Sequence, residues 1–223
     1  MVSTTRQVIP AAEGVRSRRE EYAEATHEAL LDSASVCFFE SGFAATSLDH
    51  VAGRARVTKG AIYHHFTSKR ELFLAVLERQ QEHSVGSVTS AGASASDAWS
   101  GIVAAIDAFL DTISDPVYQR LCWVEGPSAL GFEEWWSCGE RYEIEVISRL
   151  LQRAADAGIL VVDDLDMLAH VLFGAVSAGV LGMVRSAEPT IERQRFRTVM
   201  LALMAGLVRP DPTGRDRISP PGP

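Results

Sequence analysis

The chain has 223 residues, 47% of them apolar and 22% charged, with a net charge of −8. That length and apolar content supply a real core and exclude disorder throughout, and the acidic balance excludes a protein that coats nucleic acid indiscriminately. No uninterrupted apolar run approaches the 18 residues of a membrane span, no secretory signal is legible, and Cys37, Cys122 and Cys138 are spaced like the reduced thiols of a cytoplasmic protein rather than a disulfide or zinc framework.

Residues 1–18 mix Ser, Thr, Pro, Gly and Arg without periodicity and read as a disordered arm. An apolar stripe through Tyr22, Ala25, Ala29, Ala34 and Phe38 predicts a first helix over about residues 20–41, with Gly42 placed to close it in a left-handed cap. Thr46 opens a short helix in a capping box with Asp49, ending near Ala55, and Val57 fills the turn. Thr58 caps a second short helix that reaches about His65. Ser68 and Glu71 form another capping box, from which a long helix runs to roughly Val88. Residues 84–96 hold five serines and two glycines and mark a boundary between two parts.

Beyond it, helices are predicted at about 97–113, after Asp115-Pro116 with Pro at the first helical position, at 131–157 stopped by Gly158, at 164–186 and at 189–208. Residues 209–223 carry five of the nine prolines and read as a disordered tail. No segment alternates apolar and polar residues for long, so the fold class is all-α.

The charge is unevenly placed. Residues 1–80 hold ten basic and ten acidic side chains, against eleven and nineteen in 81–223. Residues 55–70, ARVTKGAIYHHFTSKR, contain Arg56, Lys59, Lys69 and Arg70 without a carboxylate, and Lys59 and Lys69 are the only lysines. A small module that touches a polyanion, attached to a body that is repelled by it, fits this distribution. Two short helices joined by a tight turn make a helix-turn-helix, whose second helix can lie in the major groove. There Thr58, Lys59, Gly60 and Ala61 would face base edges, the small residues allowing backbone approach and Lys59 donating to guanine. Tyr63 and His64 would reach flanking phosphates, while Lys69 and either Thr46 or Ser47 would add anion sites at helix starts. The competing reading is a charged surface loop between core helices.

The stretch TSLDHVAGRARVTKGAIYHHFTSKRELFLAVLE, residues 46–78, resembles the DNA-binding signature of TetR-type transcriptional regulators. The Thr-Lys-Gly-x-x-Tyr-x-x-Phe-x-x-Lys-x-x-Leu spacing is sustained across three elements, and the preceding helix fits the family's first. The resemblance covers about sixty residues. It implies an all-α homodimer of about nine helices per subunit: an N-terminal three-helix helix-turn-helix DNA-binding domain, 19–66, and a larger helical effector-binding and dimerisation domain, 67–208, with 67–88 as connecting helix. The implied partners are a palindromic operator in double-stranded DNA, a second copy of the chain and a small apolar effector that releases a repressor. Carried over by position, the DNA contacts fall on Thr46, Ser47, Thr58, Lys59, Gly60, Tyr63, His64 and Lys69. Arg56 stands where such proteins often have Gly. A left-handed arginine costs roughly 1 kcal/mol, so either the turn is adjusted or Arg56 contributes a phosphate contact. Gly53 inside the preceding helix is a second weakness of about 1 kcal/mol relative to alanine.

A pocket in the larger helical part is expected to be apolar with a few convergent polar groups. The candidates are Trp99, Phe109, Tyr118, Cys122, Trp123, Glu125, Trp136, His170, Phe173 and Ser177, each with ordinary core or helix surface as the competing reading. Glu125 lies in an apolar neighbourhood where a carboxylate needs a partner, and His170 interrupts an apolar helix. If both line one cavity, an apolar ligand bearing an amine or another hydrogen-bonding group fits. Gly174, Ala178 and Gly182, with Ala175 and Gly179 alongside, permit close helix packing, read as a dimer bundle with 193–208; packing within one subunit is the alternative. No Ser-His-Asp order, Gly-rich phosphate loop or paired-ligand spacing is present, and the adjacent His64 and His65 diverge by about 100° on a helix. Catalysis, metal and cofactor are therefore not expected. A helical small-molecule-binding or interaction module without operator binding is the rival, and the Lys59, Tyr63 and Lys69 set argues against it.

Overall fold

A computed structural model describes residues 18–209; apart from Arg18 and Arg209, the expected arm and tail lie outside the described residues. Helix α1 (Arg18–Ala45) buries Leu30, Leu31, Ala34, Cys37 and Phe38. At Gly42 the backbone turns to φ 78° and ψ 166°. The positive φ matches the expected stop. The ψ lies outside the left-handed helical region, so a last helical turn resumes before the chain leaves α1.

Helix α2 (Leu48–Arg54) starts one residue later than the sequence implies. Ser47, not Thr46, is its cap, with Oγ accepting from the His50 N–H at 3.1 Å. Thr46 turns inward instead and donates to the Cys37 and Gly42 carbonyls at 3.1 and 2.8 Å. Helix α3 (Lys59–His65) is capped by Thr58, which accepts from Ala61 N–H. Between α2 and α3, Arg56 has φ 57°, the only positive φ outside glycine among the described residues. The turn is not adjusted, and the arginine carries the strain.

Helix α4 (Lys69–Ser94) begins at Ser68, and Glu71 reaches back to the Thr67 N–H and hydroxyl at 2.7 and 2.5 Å. It runs unbroken to Ser94, so most of the serine-rich stretch is helix and the chain leaves it only at Ala95. The small residues serve a close crossing. A Cβ on Gly92 would lie 2.8 Å from the Leu150 side chain, and one on Gly101 would lie 2.9 Å from the Gly92 carbonyl. Arg153 closes the end of α4 by donating to the Gly92 and Ala95 carbonyls at 2.5 and 2.9 Å.

Helix α5 (Ala98–Ser114) is capped by Asp97, and α6 (Pro116–Tyr118) by Asp115. A π-helical stretch, Gln119–Glu125, follows and leads into α7 (Gly126–Leu130). Pro127 has no N–H to return to Trp123, and the Gly126 N–H bonds the Leu121 carbonyl, one residue further back than in an α-helix. That leaves the Cys122 carbonyl free, and the Trp135 indole N–H takes it at 2.6 Å. Only glycine fits at 126, because a Cβ there would sit 2.7 Å from the Trp135 ring.

Helix α8 (Phe132–Asp156) ends where Gly158 adopts φ 68°, as the sequence predicts. Helices α9 (Leu165–Arg185) and α10 (Pro189–Gly206) complete the fold, with one antiparallel bridge between Leu160 and Val208. The core of α1–α4, where Phe73 meets Phe38 and Phe43 edge-on at 5.0 and 5.2 Å, continues into Leu121, Cys122, Trp123 and Trp135. A second core joins α5, α8, α9 and α10 through Ile102, Leu151, Leu172 and Met200. By length and hydropathy α9 could cross a bilayer, yet here it packs on α8 and α10. Gly179 accommodates Phe196 of α10, whereas Gly174 and Gly182 face open space beside the exposed Met167 and Val171.

Gly42→Ala meets both a glycine-only backbone conformation and the Glu125 carboxylate 2.9 Å from the new Cβ. It should cost about 1–3 kcal/mol, measured as a lower urea midpoint at unchanged slope. An unmoved midpoint would show that the break does not require glycine.

Candidate nucleic-acid interface and effector cavity

The first turn of α3 presents Thr58, Lys59 and Gly60 to solvent, followed by the exposed Tyr63 and His64. Ile62 and Phe66 are buried beneath with Val51, Ala52 and Leu72. Lys59 Nζ bonds Asp49 Oδ2 of α2 at 2.7 Å and lies 5.9 Å from the centre of the Tyr63 ring; the bond to Asp49 raises the lysine pKa. Both partners are well exposed, so the pair is weak and exchangeable. A Cβ on Gly60 would meet nothing closer than the Thr58 hydroxyl at 4.0 Å, so the fold itself does not require glycine there. Ser47 and Arg56 are exposed on the same module. Thr46 is 2% exposed with its hydroxyl turned inward, so it is not a surface contact.

Lys69 is also placed differently from the expected free anion site. Its ammonium donates to the Phe43 and Ala44 carbonyls at 2.7 and 3.1 Å and lies 4.5 Å from the Phe43 ring centre. It closes the end of α1. The break at Gly42 leaves the Phe43 N–H without a helical acceptor, and Glu125 Oε2 supplies one at 2.9 Å. Glu125 is thus a tie between the π-helical stretch and α1, not a cavity residue. A second tie is Arg70, which donates to the Leu130 carbonyl at 3.0 Å and pairs with Glu134.

The larger part encloses an apolar cavity of about 110 Å³ between α4, α5, α8, α9 and α10, with Val88, Ile102, Phe109, Val146, Leu172 and Met200 among its walls. Of the expected pocket residues only Phe109 lines it. Trp123, Trp136, Phe173 and Ser177 line a second space of about 10 Å³ with Gln81, Trp135, Gly139 and Glu143. Glu143 borders both. Burial pushes its carboxyl up to about 8, against the opposing effect of a hydrogen bond from Gln81. Gln81 Oε1 in turn accepts from the Tyr118 hydroxyl at 2.8 Å. Tyr118 and Cys122 are buried with their pKa values pushed well up. Among the described residues Ser177 Oγ is buried without a hydrogen-bond partner. Trp99 packs beside the second core, outside both spaces. His170 is exposed on α9, its Nδ1 2.8 Å from the Asp166 carbonyl, and lines neither space.

Glu143, Gln81 and Trp135 are absent from the sequence candidates. Each falls on the apolar stripe of its helix, and a carboxylate or amide at a stripe position was the available signal.

The similarity to known proteins covers both halves. Residues 30–76 match the family described as "Bacterial regulatory proteins, tetR family", and residues 99–207 match "Tetracyclin repressor-like, C-terminal domain". The chain belongs to the TetR family. It is 27% identical over 159 residues to the transposon Tn10 TetC protein of Escherichia coli, covering 71% of this chain and 80% of that protein. Over 84 residues, 38% of each chain, it is 42% identical to the transcriptional activator FasR of Mycolicibacterium smegmatis. Among solved structures, a TetR-family regulator from Pectobacterium atrosepticum matches at TM-score 0.75 and 26% identity, covering 88% of this chain and all of that one. SmeT, the repressor of the Stenotrophomonas maltophilia multidrug efflux pump SmeDEF, matches at TM-score 0.66 and 27% identity over 90% and 99% of the two chains. TetR-family members are ligand-responsive, DNA-binding transcriptional regulators, and this chain is one of them.

Glu143 also makes a stability prediction. Its folded pKa, about 8, exceeds the ordinary 4.5, so across pH 5–8 the unfolded chain holds fewer protons and stability falls as pH rises. The fall should approach about 1.4 kcal/mol per pH unit. Urea midpoints of wild type and Glu143→Gln, compared from pH 5 to 8, should show the difference between them changing with pH. A constant difference would mean that the carboxyl titrates as in water.

Proposed function

We propose that the chain is a homodimeric repressor that reads a palindromic operator with α3 and leaves it when an effector fills the cavity. The observation that carries the reading is the exposed first turn of α3, with Lys59 held only by an exchangeable surface carboxylate and Gly60 leaving room that the fold does not use. Thr58, Lys59 and Gly60 meet base edges, while Ser47, Arg56, Tyr63 and His64 meet phosphates and sugar. Two such turns, one from each subunit, sit about 34–36 Å apart on successive major grooves. The second subunit packs on the small-residue stripe of α9, Gly174, Ala178 and Gly182, together with the exposed Val199 and Leu203 of α10.

The coupling route follows from neighbouring positions on the π-helical stretch. Trp123 borders the small space, and two residues on Glu125 holds the Phe43 N–H. A ligand that shifts this stretch therefore shifts the end of α1 and the module it carries. A coupling of about 1–3 kcal/mol changes operator affinity by 5–150-fold.

An operator selected from a duplex library and then used in gel retardation tests the reading. Lys59→Ala, Tyr63→Ala and Gly60→Leu should each abolish specific retardation while far-ultraviolet circular dichroism and dimer mass stay unchanged. Undiminished retardation by all three would place the DNA on another face. Ala178→Arg should yield monomers in sedimentation and lose operator binding by at least 100-fold; a persistent dimer would move the interface away from α9.

A further inference from the structure

A carboxyl group rarely lies in the wall of an apolar cavity without a partner charge. Glu143 does so. Among the described residues no cation pairs with it. The groups that face it are Gln81 and Ser84 from α4, Tyr118 from α6, Cys122 from the π-helical stretch, Cys138 from its own helix and Ser177 from α9. None is basic. Gln81 supplies one hydrogen bond, whereas an ionised carboxylate offers about four acceptor sites.

The small space beside Glu143 has the chemistry of a cation site. Trp123, Trp135, Trp136 and Phe173 line it, with Trp136 and Phe173 rings 4.7 Å apart and Trp123 and Trp135 rings 5.5 Å apart. Aromatic walls attract ammonium groups. Ser177, 2% exposed and without a hydrogen-bond partner among the described residues, adds a hydroxyl acceptor. At about 10 Å³ the space admits one group the size of water. A primary ammonium has that size and a trimethylammonium does not. The adjoining cavity, about 110 Å³ and apolar, takes a short hydrocarbon body.

Resting on the effector reading above, we propose that the ligand is a small amphiphilic primary amine, its hydrocarbon part in the apolar cavity and its ammonium between Glu143 and Ser177. No covalent bond changes. The empty site holds a protonated Glu143 at neutral pH; binding of the ammonium releases that proton to the buffer and leaves a carboxylate–ammonium pair. Affinity for the amine therefore rises with pH up to about 8, where Glu143 is ionised without help.

The test is calorimetry on the full-length protein without DNA, using hexylamine, hexanol and hexyltrimethylammonium as matched probes. Hexylamine should bind at least tenfold more tightly than the other two at pH 7.5. It should release close to one proton below pH 7, read from buffers of different ionisation enthalpy, and weaken several-fold from pH 7.5 to 6.5. Hexanol should show no such dependence. Glu143→Gln should lower hexylamine affinity at least tenfold and leave hexanol within twofold, which also reports that the variant is folded. Hexylamine binding no better than hexanol, absence of proton release, or equal binding of the trimethyl compound would each overturn the proposal. Because no operator is present, such a failure leaves the DNA reading untouched, and a failed operator selection leaves amine binding measurable.

Discussion

One hydrogen bond that the backbone makes necessary helps to tie the N-terminal helical module to the larger part. Gly42 breaks α1, the break exposes the Phe43 N–H inside a closely packed junction, and a buried donor without an acceptor is costly. Glu125 reaches it from the π-helical stretch, 82 residues away in sequence. The stretch owes its wide turn to Pro127 and Gly126, and the carbonyl it frees is held by Trp135. Glycine break, π turn and indole form a chain in which each irregularity supplies the partner for the next. Lys69 completes the junction from the other side by neutralising the carbonyl end of α1.

The larger part is organised around α9, whose faces have opposite duties. Phe173 and Ser177 look towards the small space, Leu172 towards the apolar cavity, and Gly179 lets Phe196 of α10 lie against the backbone. The remaining side, with Gly174, Ala178 and Gly182, has no cover among the described residues. Such a helix reads as strongly hydrophobic by composition even though no single environment uses all of it. The cavity is correspondingly neutral when empty, since its one acidic group keeps its proton and avoids the cost of an isolated buried charge.

Much of the architecture was legible in the residues. Ser68, Thr58 and Gly158 act at helix ends as their side chains or lack of one require, and the resemblance carried the family. Of the two alternatives at Arg56, an adjusted turn or a phosphate contact, the first does not occur, since the arginine takes φ 57°. The departures share a cause: periodicity tells which face of a helix is buried, but not against what. Thr46 and Ser47 are equally good caps on paper, and only the inward hydroxyl bonds of Thr46 separate them. Serine and glycine at 84–96 look like a linker until the Gly92–Gly101 crossing supplies a reason for small residues within a helix. Glu125 did need a partner, as its surroundings implied, and finds one in the Phe43 backbone amide. His170 broke an apolar pattern because it sits on the outer face. Glu143 escaped notice because its helix is rich in charge, although its place on the apolar stripe was the sign that it points inward.

The unbroken length of α4 has a mechanical consequence. At 1.5 Å per residue its 26 residues form a rod of about 39 Å. Arg153 pins one end, Ser84 and Val88 touch the cavity, and the opposite end carries Lys69 and Arg70 into the junction with α1. A tilt of about 5° about the pinned end moves the far end by about 3 Å over that length. Any turn of the rod about the guanidinium would therefore be larger at the junction with α1 than beside the cavity.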